Sequence, residues 1–149
     1  MRVFITGATG FIGSAIVPEL IQAGHQVLGL TRSDAGAESL IAAGAEVHRG
    51  DLDNLDSLRS GAASADAVIH TAFNHNFSKY LENCETDRSV IEALGEALAN
   101  SANGSSKLLI VTSGTGMAHS APGVPATEDQ PAASSKMVPR AASPSPRYV

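Results

Sequence analysis

Thr6-Gly7-Ala8-Thr9-Gly10-Phe11-Ile12-Gly13 is the stretch that decides the fold of this 149-residue chain. It follows a short apolar run, Val3-Phe4-Ile5. It leads into apolar residues at Ile12, Ile16, Leu20 and Ala23, the spacing of one buried helical face. The glycines therefore lie where a strand ends and a helix begins. Gly7 permits a tight turn, Gly10 lets the backbone approach a pyrophosphate without a side chain intervening, and Gly13 lets helix and strand pack closely. A pyrophosphate resting there would meet free N–H groups and about half a positive charge at the helix N-terminus. The context predicts a dinucleotide site; the competing reading is a glycine turn with a purely structural role.

Outward from this loop, the chain alternates strands with helices. Gly24 closes the first helix. Residues 27–30 read as a second strand, 35–43 as a short helix, 45–48 as a third strand, 55–58 as a brief helix and 67–70 as a fourth strand. Residues 78–100 read as the longest helix, with Leu81, Cys84, Ile91, Leu94 and Leu98 on one stripe, and 108–111 as the fifth strand. Almost wholly apolar strands separated by helices imply an α/β fold, its parallel sheet covered on both faces. Right-handed crossovers make the sheet doubly wound, with strand order 3-2-1-4-5 expected. This unit is assigned to residues 1–113. Residues 114–149 read as a largely irregular loop and Pro/Ala/Ser-rich tail, since six of the seven prolines follow residue 120.

Composition narrows the function classes. The chain is 43% apolar and 17% charged, long enough for one domain with a real core. A net charge of -5 gives no electrostatic reason to expect nucleic acid or an anionic membrane as partner. No run of about 18 apolar residues is present, so no membrane span is expected. The single cysteine, Cys84, excludes an internal disulfide and a multi-cysteine metal site, and no metal is expected. The early residues turn polar and glycine-rich too soon for a secretory signal, so the location expected is cytoplasmic. Nothing in the sequence signals an oligomeric state.

The spacing Gly7-Ala8-Thr9-Gly10-Phe11-Ile12-Gly13 resembles the short-chain dehydrogenase/reductase superfamily, in its extended or atypical branch of NAD(P)-dependent epimerase/dehydratase-like proteins. The resemblance runs from Met1 to about Pro131. Asp51-Leu52, after the third strand, is similar to the family's acidic–apolar pair that contacts adenine. His70-Thr71-Ala72-Phe73 resembles the segment lining the cofactor's pyrophosphate and ribose. Thr112-Ser113-Gly114-Thr115 resembles the segment carrying the catalytic hydroxyl, and Glu128 with Pro131 is similar to the loop before the catalytic helix. The resemblance implies a Rossmann fold and a nicotinamide cofactor held by Gly7, Thr9, Gly10, Phe11, Ile12, Gly13, Asp51, Leu52, Thr71, Ala72 and Phe73. It also implies hydride transfer to or from a small carbonyl or alcohol substrate, whose oxygen Ser113 or Thr115 would bond.

Which dinucleotide is read at the end of the second strand. A carboxylate there bonds the ribose 2′-OH of NAD, whereas a cation meets the 2′-phosphate of NADP. The segment Leu30-Thr31-Arg32-Ser33 supplies a forked donor in Arg32, 19 positions after Gly13, and a hydroxyl in Ser33. Asp34 could reach a 2′-OH, so NADP(H) is the expectation and NAD(H) the alternative.

The resemblance also implies a tyrosine with a lysine four residues on, the pair that moves the proton. Lys79, Lys107 and Lys136 are preceded at that distance by His75, Asn103 and Ala132, and neither Tyr80 nor Tyr148 has a lysine four positions on. The pair is absent from this chain. Extended members continue with a substrate-binding part, so the chain reads as truncated at its C-terminus. Pro144 and Pro146 would stop the helix that Pro139 could open. A bare sheet face beside the fourth and fifth strands is the expected consequence. The alternatives to an oxidoreductase or epimerase are a non-catalytic dinucleotide-binding module and an inactive fragment. Among the remaining residues, His25 reads as a surface residue, His48 and His119 have no partner visible in sequence, and Cys84 reads as a core thiol. His75 and Lys79 could contact substrate or simply belong to a polar loop. Asp87-Arg88 reads as a solvated pair.

Overall fold

The computed structural model describes residues 1–101, 106–113, 123–125 and 127. Thr115, His119, Glu128, Pro131, Lys136 and Tyr148 lie outside the described residues, as does most of the 114–149 segment. The elements run β1 (Arg2–Thr6), α1 (Gly13–Gln22), β2 (Gln26–Thr31), α2 (Asp34–Ala42), β3 (Glu46–Arg49), α3 (Leu55–Ala63), β4 (Ala67–His70), a single 3-10 turn (Phe77–Lys79), α4 (Tyr80–Ser101) and β5 (Leu108–Val111). All neighbouring strands are parallel, and their order is β3-β2-β1-β4-β5, as the alternation predicts.

Alternation of side chains along the strands builds two cores. On one face Phe4, Leu28, Leu30 and Val68 meet Leu58 and Ala62 of α3 and Val90 and Leu94 of α4. On the other, Val3, Ile5 and Val27 meet Val17 of α1 and Leu40 of α2. Helices thus cover both faces, which is why the strands can be apolar throughout.

Three helices differ in detail from the sequence expectation. In α1 the buried face is Gly13 and Val17 with half-buried Ile16, Leu20 and Ile21, while Ile12 and Ala23 are exposed. Ile12 precedes the helix and turns outward with Phe11. The third helix runs to Ala63 because Gly61 and Ala62 are buried small residues, which carry little apolar signal. A Cβ on Gly61 would stand 2.4 Å from Phe4 Cζ, so only a glycine lets α3 lie this close to β1. In α4, Leu81 is exposed, and the buried stripe begins instead with the polar Asn83, followed by Cys84 and Asp87.

His48, without a visible partner in sequence, has two. Its Nε2 lies 2.8 Å from the Ser57 carbonyl oxygen, and its ring stands edge-on to Phe4 at 5.3 Å. Cys84 is buried, as read. Among the described residues no helix is long and apolar enough to cross a membrane.

At the sheet edge, pairing places Leu108 beside Ala67 and Ile110 beside Ile69, on the face that α1 and α2 cover elsewhere. No described helix reaches this corner, and Leu108 is 47% and Ile110 45% exposed. Leu109, on the opposite face, packs into the core beneath α4. Leu94→Ala should therefore cost about 2–5 kcal/mol, whereas Ile110→Thr should cost less than about 0.5 kcal/mol. Urea unfolding of the two variants measures both; comparable losses would show that the outer face of β5 is packed in solution.

Candidate functional site

The strand order reverses between β1 and β4, and a cleft of about 1130 Å³ opens above the C-terminal ends of the strands at that point. The loop after β1 supplies its floor, with Gly7, Thr9, Gly10, Phe11, Ile12 and Gly13. Arg32 and Ser33 after β2, and Asp51 and Leu52 after β3, form one end. Thr71, Ala72 and Phe73 after β4 form the other, continued by His75, Lys79, Glu82, Asn83 and Asp87. Every residue that the sequence assigns to the cofactor thus lines a single cleft.

The glycines of the floor are required for different reasons. Gly7 has φ +70°, and a Cβ there would lie 2.8 Å from both Ala72 N and Thr71 Oγ1. A Cβ on Gly13 would lie 2.1 Å from Gly7 O and 2.7 Å from Ala8 Cα. Gly13 therefore lets the helix press against the turn itself, rather than against the strand. A Cβ on Gly10 would meet only Gly7 O, at 3.2 Å. That contact is tight but needs a shift of only a few tenths of an ångström, far less than at Gly7 or Gly13, and the rest of the surface that Gly10 presents is open toward the cleft.

The three helices that follow β1, β2 and β3 begin differently. The N-terminus of α2 is capped by Ser33 and has Asp34 in its first turn; that of α3 is capped by Asn54 and has Asp56. That of α1, which faces the cleft, has no side-chain cap and no acidic residue in its first turn. Ser14 N and Ala15 N already donate to Gly10 O and Ile12 O, so what this end offers the cleft is the positive end of the helix dipole with no internal anion beside it.

At the β2 end, Asp34 is drawn away from the cleft by Arg49, 2.6 Å distant, and does not line it. Arg32 is exposed and, among the described residues, has no carboxylate within ion-pair distance. The Ser33 hydroxyl accepts from Gly36 N at 3.1 Å, so its oxygen also serves as the cap of α2. Asp51 uses Oδ1 to accept from the amides of Asp53 and Asn54, at 3.0 and 3.1 Å, which shapes the loop leading into α3. Leu52 packs partly into the core beneath it.

At the β4 end sits a buried polar group that the sequence reading missed. His70 is fully buried, with Nδ1 2.6 Å from Thr6 Oγ1 and Nε2 3.1 Å from Asp87 Oδ1. Asp87 is 2% exposed, so the reading of Asp87-Arg88 as a solvated pair is corrected. The two neighbours stand about 100° apart around α4, and only Asp87 faces the core. Arg88 pairs on the outer side with Glu85 and Glu92, and the hydrogen bonds it donates to Glu85 raise its already high pKa. A charged residue at the right spacing on a buried helical stripe, with a histidine in the adjacent strand, is the signal that could have found this group. Ser113 is exposed and does not line the cleft; it follows Thr112, whose N and Oγ1 both donate to the His70 carbonyl, at 3.0 and 3.1 Å. Lys79, beside the cleft, is held by Glu82. Among the described residues, no group of three or more His, Cys, Asp or Glu could hold a metal ion.

The model of the NAD dependent epimerase/dehydratase family matches residues 3–141. The chain belongs to that family. It is 53% identical over 115 residues to an uncharacterized protein of Schizosaccharomyces pombe and 47% identical over 117 residues to one of Saccharomyces cerevisiae; each match covers 77% of this chain and 38% of the relative. The chain thus spans well under half the length of these relatives. Among solved structures, it is similar to the UDP-glucose 4-epimerase of Stenotrophomonas maltophila with bound NAD, with TM-score 0.74 and 22% identity over 96% of this chain and 45% of that one. At that identity the likeness speaks for the fold, and the shared fold is a Rossmann-type sheet.

The glycines separate experimentally. Gly13→Ala should destabilise by about 1–3 kcal/mol or more, since backbone must move, while Gly10→Ala should change stability by less than about 1 kcal/mol. Chemical denaturation checks both, and a tolerated Gly13→Ala would remove the close approach as a constraint.

Proposed function

We propose that the chain is the dinucleotide-binding part of an NAD(P)-dependent oxidoreductase or epimerase, and that its preferred cofactor is NADP(H). The observation that carries this is the uncapped N-terminus of α1, opening onto a cleft beside a bare Gly10. That donor set suits a pyrophosphate and nothing in it obstructs one. Arg32 supports the 2′-phosphate form, because Asp34 is engaged by Arg49 and lies off the cleft. The family name alone favours NAD, and one structural neighbour holds NADP+.

When bound, the nicotinamide supplies a hydride donor or acceptor. The residues of this chain bind and orient. The α1 amides hold the pyrophosphate, Arg32 and Ser33 meet the adenosine phosphate, and Asp51 with Leu52 borders the adenine. By the family resemblance, Ser113 or Thr115 would donate a hydrogen bond to the oxygen of a small carbonyl or alcohol substrate, drawing electron density from the reacting carbon, although Ser113 itself stands outside this cleft. A cytoplasmic location accompanies this reading, supported by a lone buried thiol suited to a reducing compartment. A non-catalytic dinucleotide-binding module is the second reading, favoured by the missing tyrosine–lysine pair. NADPH consumption with a panel of aldehydes and ketones separates the two.

Titration with NADPH and NADH, followed by thermal unfolding, tests the cofactor. A ligand at 100 times its dissociation constant should stabilise the chain by about 2.7 kcal/mol. Arg32→Ala should weaken NADPH and leave NADH nearly unchanged, whereas Gly10→Ala should weaken both. An equal loss for the two cofactors in Arg32→Ala would remove the basis for preferring NADP(H).

A further inference from the structure

The fully buried polar residues of β1 and β4 lie at the cleft end. Phe4 and Val68, which pair in register deeper in the sheet, are fully buried and apolar; Thr6 and His70, which pair at the last position of each strand, are fully buried and polar. Asp87 completes the group from α4, and it lines the cleft. Burying a carboxylate, an imidazole and a hydroxyl together costs more than filling the space with apolar side chains. Bulk stability alone is thus a poor account of why these three groups are buried together.

Their geometry says what they hold. Nε2 faces the Asp87 carboxylate, which accepts from it, and Nδ1 faces the Thr6 hydroxyl, so the ring bridges the two. The Thr6 carbonyl accepts from Thr71 N at 3.2 Å and from Thr71 Oγ1 at 2.8 Å. The same Thr71 hydroxyl stands where a Gly7 side chain would have to go. On the other side, the His70 carbonyl anchors Thr112, the residue before Ser113. One imidazole thus ties α4 to the turn after β1, while its own backbone begins the loop after β4 and steadies the end of β5.

We propose that Asp87, acting through His70, is a positioning residue for the dinucleotide. Resting on the cofactor reading of the cleft, this assigns to the Asp87–His70–Thr6 chain the alignment of the Gly7 turn with the Thr71 loop. The test is the NADPH dissociation constant of variants at a temperature where thermal melts show each to be fully folded. Asp87→Leu leaves Nε2–H buried without an acceptor and should weaken NADPH about tenfold or more. Asp87→Asn keeps an oxygen acceptor and should stay within about threefold of the parent. Thr6→Val cuts the chain at its other end; it should weaken NADPH in the same direction, and it decides the matter if Asp87→Leu does not fold. A role in stability alone would lower the melting temperature and leave the dissociation constant of the folded variants unchanged, which overturns the proposal while the cofactor reading stands. A parent chain that binds neither NADPH nor NADH overturns both.

Discussion

The rest of the structure depends on how closely the start of α1 is pressed against the end of β1. Gly13 lies so near the Gly7 carbonyl and Ala8 that one methyl group at Gly13 would overlap the backbone. This contact sets the direction in which α1 leaves the sheet, and so the direction in which its N-terminal amides point. The same contact seats Val17 and the half-buried Ile16 and Leu20 on the sheet, which builds one of the two cores. A single steric requirement therefore joins the packing of the fold to the chemistry of the cleft.

A doubly wound sheet gathers the ends of its strands at one edge, and at that edge the backbone runs out of strand partners. In this chain the exposed polar groups there are met in two ways. After β2 and β3, side chains close the ends locally, with Ser33 and Asn54 capping the following helices. After β1 and β4, the ends are joined to each other through Thr6, His70, Thr71 and Asp87. The segments that carry the cleft's floor are thereby held by long-range hydrogen bonds as well as by the local turn in which Gly10 N donates to Gly7 O. That arrangement ties the floor to β4 without placing a side-chain cap or an acidic residue at the start of α1.

The far edge contrasts with this. Strand β5 is packed on the α4 side through Leu109 and open on the other through Leu108 and Ile110. The yeast relatives extend far beyond the length matched here, as do the solved epimerases of the same fold.

Sequence by itself determined the order of elements, because short apolar runs and helical spacing are local properties. The bounds of β4 and β5 are those read from residues 67–70 and 108–111, and the strand order follows from crossover handedness. The glycine loop, Arg32, Ser33, Asp51 and Thr71 were legible one segment at a time, and the fold carries them to one cleft because all follow parallel strands. Tertiary structure alone decided which side each ambiguous residue faces. Ile12 and Leu81 turned outward, and α3 ran on through small buried residues that carry no periodic signal. Above all, Asp87 reads as a surface charge until His70 is placed beside it, and His70 finds its second partner in Thr6, across 64 residues of chain. A buried charge depends on a partner, and where the partner is distant in sequence only the folded backbone brings it within hydrogen-bonding reach.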